Sequence, residues 1–396
     1  MNKIITRVRK HGIAILRVGR SNLVTGRRTK RGSIVFQAQN LVIHILKTHR
    51  TRVPLAITLF LVDTTICCCY RTNQTRLTMF LSPQQVLTFA LDYANTKHDR
   101  WSETTKILEF HRHYGSSPLD IADIWYDLVH DGGRYLPDEL QLKVKEKNEK
   151  GFRQYMAGHT FLWTYPKNSS LLSTATGVCE RKCRGEHIWI WVERIAALKA
   201  KNIRWEDVNS AANLEVFAIS TDGVDCKLRE EKHAFLPRDN SACSHKMNSA
   251  AAKYEVVLSV QRAKCVHIAG PFKGGVSDLE MFRTGGLRDK LQKVNMPIRG
   301  FRRVKLNIAD RGYNCKATHP EDAELFALPN AADSTELNRF KSRTRLRHET
   351  FNARLKCFSA LSLPFRHGFA KHKFVFEAIV VIVQYQMDNG SPIYAV

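Results

Sequence analysis

The sequence predicts an α/β fold: a mixed sheet with helices on its faces, preceded by a mostly helical region. Three observations predict it. From about residue 213 the apolar positions change from helical spacing to short strand-like runs. Three such runs precede a helix and a fourth run, and a long helix comes later in the chain. The first and fourth runs each stop on an aspartate with a glycine just beyond, Asp222 before Gly223 and Asp310 before Gly312.

Residues 1–80 differ from the rest and predict a basic, poorly structured extension. They hold a single acid, Asp63, and include "GRRTKRG", which suits a nuclear address or a DNA-gripping arm. The apolar stretch "VPLAITLFLVDTTICCCY" is near the lower length limit for a membrane span and carries Asp63 in its middle, so no membrane partner is expected.

Residues 81–212 predict the helical region. "SPQQVLTFALDYANTKH" has helical spacing, with Ser82 placed to cap and Pro83 at the first helical position. In "KILEFHRHYGSSPLDIADIWYDLV", Gly115 ends one helix and Ser117 caps the next before Pro118, a candidate helix-turn-helix. Asp120, Asp123 and Asp127 make its second helix a poor reader of DNA grooves. Residues 132–175 read as polar and loop-like, and "CRGEHIWIWVERIAALKAKNIRW" as a long helix with Ile188, Trp191, Ile195 and Leu198 inward.

Residues 213–396 predict the catalytic part. "LEVFAISTDG", "KYEVVLSVQ" and "KCVHIAGP" are the first three strands, the last two joined through Arg262 and Ala263. "SDLEMFRTGGLRDKLQ" is a helix capped by Ser277 or Asp278, "VKLNIAD" the fourth strand, and "KSRTRLRHETFNARLKCF" a long helix. This order matches an RNase H-like core, in which the first and fourth strands are neighbours and Asp222 and Asp310 sit at adjacent strand ends. Asp310 with Gly312 is ordinary turn chemistry. Two such carboxylates side by side are also what a hard cation requires, and Glu349 on the long helix supplies a third. Arg345 and Lys356 share its face.

The balance of charge narrows the function. With 62 Lys and Arg against 37 Asp and Glu, a formal net charge of +25, the chain favours a polyanionic partner, most often nucleic acid. Ten scattered cysteines argue against an oxidised secretory framework. Neither Cys179, Cys183 and His187 nor Cys226, His233, Cys243 and His245 has the paired spacing of a structural zinc site.

From about Phe110 to Val396 the chain resembles a Harbinger-like transposase of the DDE superfamily. The resemblance is carried by "TDGVDCKL", "SHKMN", "HIAGPFKGGVSDLEMFR", "IADRGYNC", "FKSRTRLRHETFNARLKCF", "FRHG" and "VQYQMDNGSPIYAV". It implies that Asp222, Asp310 and Glu349 are the catalytic carboxylates and hold two Mg²⁺ or Mn²⁺ ions for in-line attack on a DNA phosphodiester. Double-stranded DNA is the expected partner, with Arg345 and Lys356 beside Glu349, and Lys246, expected to grip its phosphates; a separate DNA-binding partner protein, a homo-oligomer and a nuclear location are further expectations. Asp278, after "GGVS" and before an apolar helix, fits an N-cap better than a ligand. Two alternatives share the fold: a decayed or domesticated copy that binds DNA without cutting it, and a nuclease without strand transfer.

Overall fold

The computed structural model describes residues 80–167, 170, 172–173, 179–208, 217–229, 240–294 and 307–394. The basic arm around Arg27, the apolar stretch around Asp63, His233 and the first residues of the first and fourth strands lie outside them. The described residues fall in one compact unit. Among them no helix is long and apolar enough to cross a membrane.

The helical region begins as its capping signals predict. Helix α1 (Pro83–Tyr93) opens on Ser82, whose hydroxyl accepts from the Gln85 amide at 3.3 Å. Helix α2 (Glu103–Tyr114) ends at Gly115, which adopts φ 67°, and a Cβ there would lie 2.1 Å from the Trp163 ring. Only glycine satisfies both demands. Ser117 then caps α3 (Pro118–Tyr126). This helix is a core element: Ile121, Ile124 and Trp125 are fully buried, while Leu119 and Tyr126 stay exposed.

One prediction for this region fails. Residues 132–175 contain α4 (Glu149–Thr164), a 16-residue helix that buries Phe152, Tyr155, Met156 and Leu162. Gly151 and Gly158 and the buried polar Gln154 and His159 break up its apolar stripe, which hid it. Gly158 is needed for close packing, since a Cβ there would meet the Trp191 Cβ at 3.0 Å. Trp191 belongs to α5 (Ile188–Ala197), preceded by a π-helical turn at Cys183–His187, so the predicted long helix is interrupted.

A five-stranded mixed sheet follows. Strand β1 (Ile219–Lys227) lies antiparallel to β3 (Ser249–Ser259), and β3 antiparallel to β4 (Cys265–Lys273). The short β2 (Cys243–Ser244) pairs with the start of β3. On the other side of β1, β5 (Asn307–Ile308) runs parallel to it, with Ser220 opposite Ile308. The first strand and the strand before Asp310 are therefore neighbours, as the element order predicts.

Helices cover both faces. Alternation along β1 sends Thr221 and Gly223 toward α6 (Asp278–Thr284) and α7 (Leu287–Val294), and Ser220, Asp222 and Val224 toward α8 (Thr335–Cys357). Beside α8 lies α9 (Phe369–Asp388), a helix the sequence reading did not anticipate. It is buried on nearly every side, because the sheet packs on one flank and the helical region on the other. Phe376 stacks on Tyr254 of β3, while Gln386 donates to the Gly115 carbonyl at 2.8 Å and Asn389 to the carboxylates of Asp120 and Asp123. The acids that weaken α3 as a groove reader are thus anchor points for α9.

Candidate active site

Asp222 lies within β1, and the expectation that the strand ends there is corrected. Strand β3 keeps supplying backbone partners as far as Lys227; the ladder that stops early is the parallel one with β5, at Ser220. Between that point and Lys227, whose carbonyl accepts from the Phe365 amide, the β5 side of β1 has no ladder partner among the described residues. Asp222 stands two residues past Ser220, and Asp310 two residues past Ile308, the partner of Ser220. The two carboxylates therefore occupy equivalent positions on neighbouring strands.

Local chemistry fixes each of them. The Asp222 Oδ1 accepts from the Gly223 amide at 2.9 Å, and its Oδ2 accepts from the Asn352 Nδ2 at 3.0 Å. Asp310 caps the 3₁₀ turn Arg311–Tyr313, its Oδ1 accepting from the Gly312 amide at 2.8 Å. Ordinary turn chemistry and a site beside Asp222 thus coexist in one carboxylate. The Thr221 hydroxyl donates to the Asn307 Oδ1 at 2.8 Å and locks β1 against β5.

Helix α8 is tied down across the same region. His348 Nε2 and the Ser220 hydroxyl lie 2.8 Å apart, one helical turn before Asn352 meets Asp222. Arg347, fully buried, donates to the carbonyls of Val260 and Arg262 at 2.7 and 2.8 Å and joins α8 to the β3–β4 turn.

Burial raises the carboxyls of both Asp222 and Asp310 above the usual range. For Asp222 the Gly223 amide, the Lys246 charge and Asn352 pull back, while the Asp278 charge adds to the rise. For Asp310 the Gly312 amide and Arg345 pull back, while Asp278 and Asp222 add to the rise. Two half-desolvated carboxylates that repel one another are stabilised by a shared divalent cation, so this donor pair fits a hard metal ion.

Of the remaining predicted residues, Lys246 and Arg345 bear on this pair. Lys246, exposed on the turn before β3, bears on Asp222, and Arg345, half-buried on α8, bears on Asp310. Lys356 lies further along, where its charge acts on Cys226 of β1. Glu349 is exposed on α8 three residues before Asn352, and its charge bears on the Tyr394 hydroxyl. Among the described residues no three His, Cys, Asp or Glu side chains stand close enough to hold a metal ion together.

Asp278 corrects a second expectation. Ser277 is the N-cap of α6, its hydroxyl accepting from the Glu280 amide at 3.2 Å. Asp278 occupies the first helical position and pairs with Lys253 at 2.8 Å. The sequence reading missed the contributions of Asn352, His348 and Lys253. Asn352 and His348 had a signal, being spaced four apart on one face of the helix that carries Glu349.

A mixed α/β architecture with paired acids at an open strand edge is consistent with an α/β nuclease fold. Residues 221–384, less than half of the chain, match the family described as DDE superfamily endonuclease. That stretch takes in Asp222, Asp310 and Glu349 and supports a transposase-like nuclease function. No curated protein and no solved structure matches the chain.

Proposed function

We propose that the protein is a metal-dependent DNA endonuclease and strand-transfer enzyme of the Harbinger-like transposase kind, built on an RNase H-like sheet. Asp222, Asp310 and Glu349 would hold Mg²⁺ or Mn²⁺, two ions in this reading. Bound there, the metal supplies Lewis-acid activation of water or a DNA 3′-hydroxyl and stabilises the leaving oxygen of the phosphodiester. The observation that carries the reading is the register of β1 and β5, with Asp222 and Asp310 equally far beyond a paired position at an open edge.

The chain's own groups have separable tasks in this scheme. Asn352 orients Asp222, the Gly312 amide orients Asp310, and Glu349, exposed on α8, would have to turn toward the pair to share its metal. Lys246, Arg345 and Lys356 grip phosphates of double-stranded DNA without reading its sequence. A nuclear location, a homo-oligomeric assembly and a separate DNA-binding partner protein belong to the same proposal, and no membrane association does.

Glu349→Gln tests it. The full chain is incubated with supercoiled plasmid and Mg²⁺ or Mn²⁺, and nicking is followed against the unmodified chain. Cleavage should fall by several orders of magnitude, with DNA affinity held or raised because one carboxylate fewer repels the phosphates. Unchanged cleavage would remove Glu349 from the site. The exposure of Glu349 favours one second reading, a transposase-derived DNA-binding protein that no longer cuts. That reading is correct if the unmodified chain binds duplex DNA and leaves the plasmid intact with either metal.

A further inference from the structure

We propose that Asp278, held by Lys253, is a positioning residue for the acidic pair: a strut that sets the backbone after Asp222 and after Asp310 at once. Its consequence for metal binding rests on the function proposed above, whereas its structural role stands on the geometry alone.

The strut starts on the sheet. Lys253 lies on β3 opposite Asp225 of β1, and its ammonium donates to the Val276 carbonyl at 2.9 Å and pairs with the Asp278 Oδ1 at 2.8 Å. Both side chains are largely withdrawn from water, with 14% of Lys253 and 26% of Asp278 exposed, so the pair is less screened than a surface one. Because Ser277 already caps α6, the Asp278 carboxylate is free for another task.

Its two oxygens divide between two turns. A Cβ on Gly223 would lie 2.8 Å from Oδ1, and a Cβ on Gly312 would lie 2.6 Å from Oδ2. Neither position therefore tolerates a side chain while Asp278 stays in place. Gly223 directly follows Asp222, and the Gly312 amide is the donor that fixes the Asp310 Oδ1. One carboxylate thus buttresses both segments, although they come from distant parts of the chain.

Lys253 also explains why Asp278 supports rather than ligates. Its ammonium offsets the third negative charge beside Asp222 and Asp310 and draws the carboxylate toward β3. In metal sites, groups that orient the ligands typically contribute about 10- to 100-fold in affinity.

Two measurements on the full chain test this. The first is hydrogen exchange without metal over residues 219–225 and 307–314. Asp278→Ala should speed exchange in both segments together, Lys253→Met should do the same, and Asp278→Asn, which keeps an acceptor for Lys253, should restore most of the protection. The second is titration with Mn²⁺, read by its electron paramagnetic resonance. Asp278→Ala should weaken binding about 10- to 100-fold. Asp278→Asn should weaken it by less than about fivefold, the share expected of one partly screened charge.

Unchanged exchange in Asp278→Ala overturns the strut. So does Asp278→Asn losing Mn²⁺ as completely as Asp278→Ala, since Asp278 would then be a ligand. If Asp278→Ala does not fold, Lys253→Met decides by exchange. Asp222→Asn is the separate control: normal Mn²⁺ binding there defeats the metal reading, while the exchange data still judge Asp278.

Discussion

Glu255→Gln should convert a pH-sensitive fold into a less sensitive one. Glu255 sits on β3 opposite Gly223 and is fully buried. Burial pushes its carboxyl up to about 8; the Asp278 charge adds to the rise, and the Tyr313 hydroxyl only partly opposes it. The unfolded chain releases this proton near 4.5, the ordinary value, so between there and about 8 the native state holds one proton more. Stability is then present below the unfolded value and lost as pH rises through that window. The loss runs at ~1.4 kcal/mol per pH unit, on the order of 5 kcal/mol in all.

Gln cannot ionise, so the two chains should be about equally stable near pH 4.5 and diverge above it, the variant becoming the more stable. Urea denaturation of both at pH 5, 6, 7 and 8, with chelator present, measures the difference directly. Taking the difference matters, because buried histidines drive the total the opposite way. Parallel pH profiles for the two chains would refute the reasoning.

Those histidines give a second expectation. Burial holds His348 and His372 down to about 3 and His159 and His267 down to about 4, so below about pH 6.5 the unfolded chain gains protons the native chain refuses. The calorimetric melting temperature of Glu255→Gln should fall steadily on acidification from 6.5; a level profile down to pH 4.5 would contradict it. Arg347→Met leaves the Val260 carbonyl without its buried donor and the Arg262 carbonyl with only the Lys264 amide, and should lower stability by about 2 kcal/mol in urea, part of the loss being offset by sparing a desolvated guanidinium. Replacing Arg345 and Lys356 together by Ala should weaken binding to all duplexes alike and reduce its salt dependence by about two phosphate contacts in fluorescence anisotropy; a loss confined to one sequence would contradict a phosphate role.

Much of the local structure was legible in the residues. Ser82, Ser117 and Gly115 mark helix ends because capping and left-handed turns depend on the few side chains beside them. The strands around Val256 and Val266 and the acids Asp222 and Asp310 were equally readable, since alternation and a breaking Asp–Gly step are local signals. Helix α4 was missed because its glycines and buried polar residues blur the stripe, and α9 because "FVFEAIVVIVQY" is apolar on every side and carries no period. Such a run takes its form from what surrounds it, here a sheet on one flank and helices on the other.

The chain's order of elements and its residue types determined which acids belong to one sheet edge, because strand order constrains which strands can be neighbours and hard cations accept few kinds of donor. Only the tertiary structure decided how those acids are held. Asn352 on Asp222, Lys253 on Asp278, and Asp278 between Gly223 and Gly312 join residues far apart in sequence. No local pattern encodes such contacts, because the distance between two side chains on different elements is set by how those elements pack.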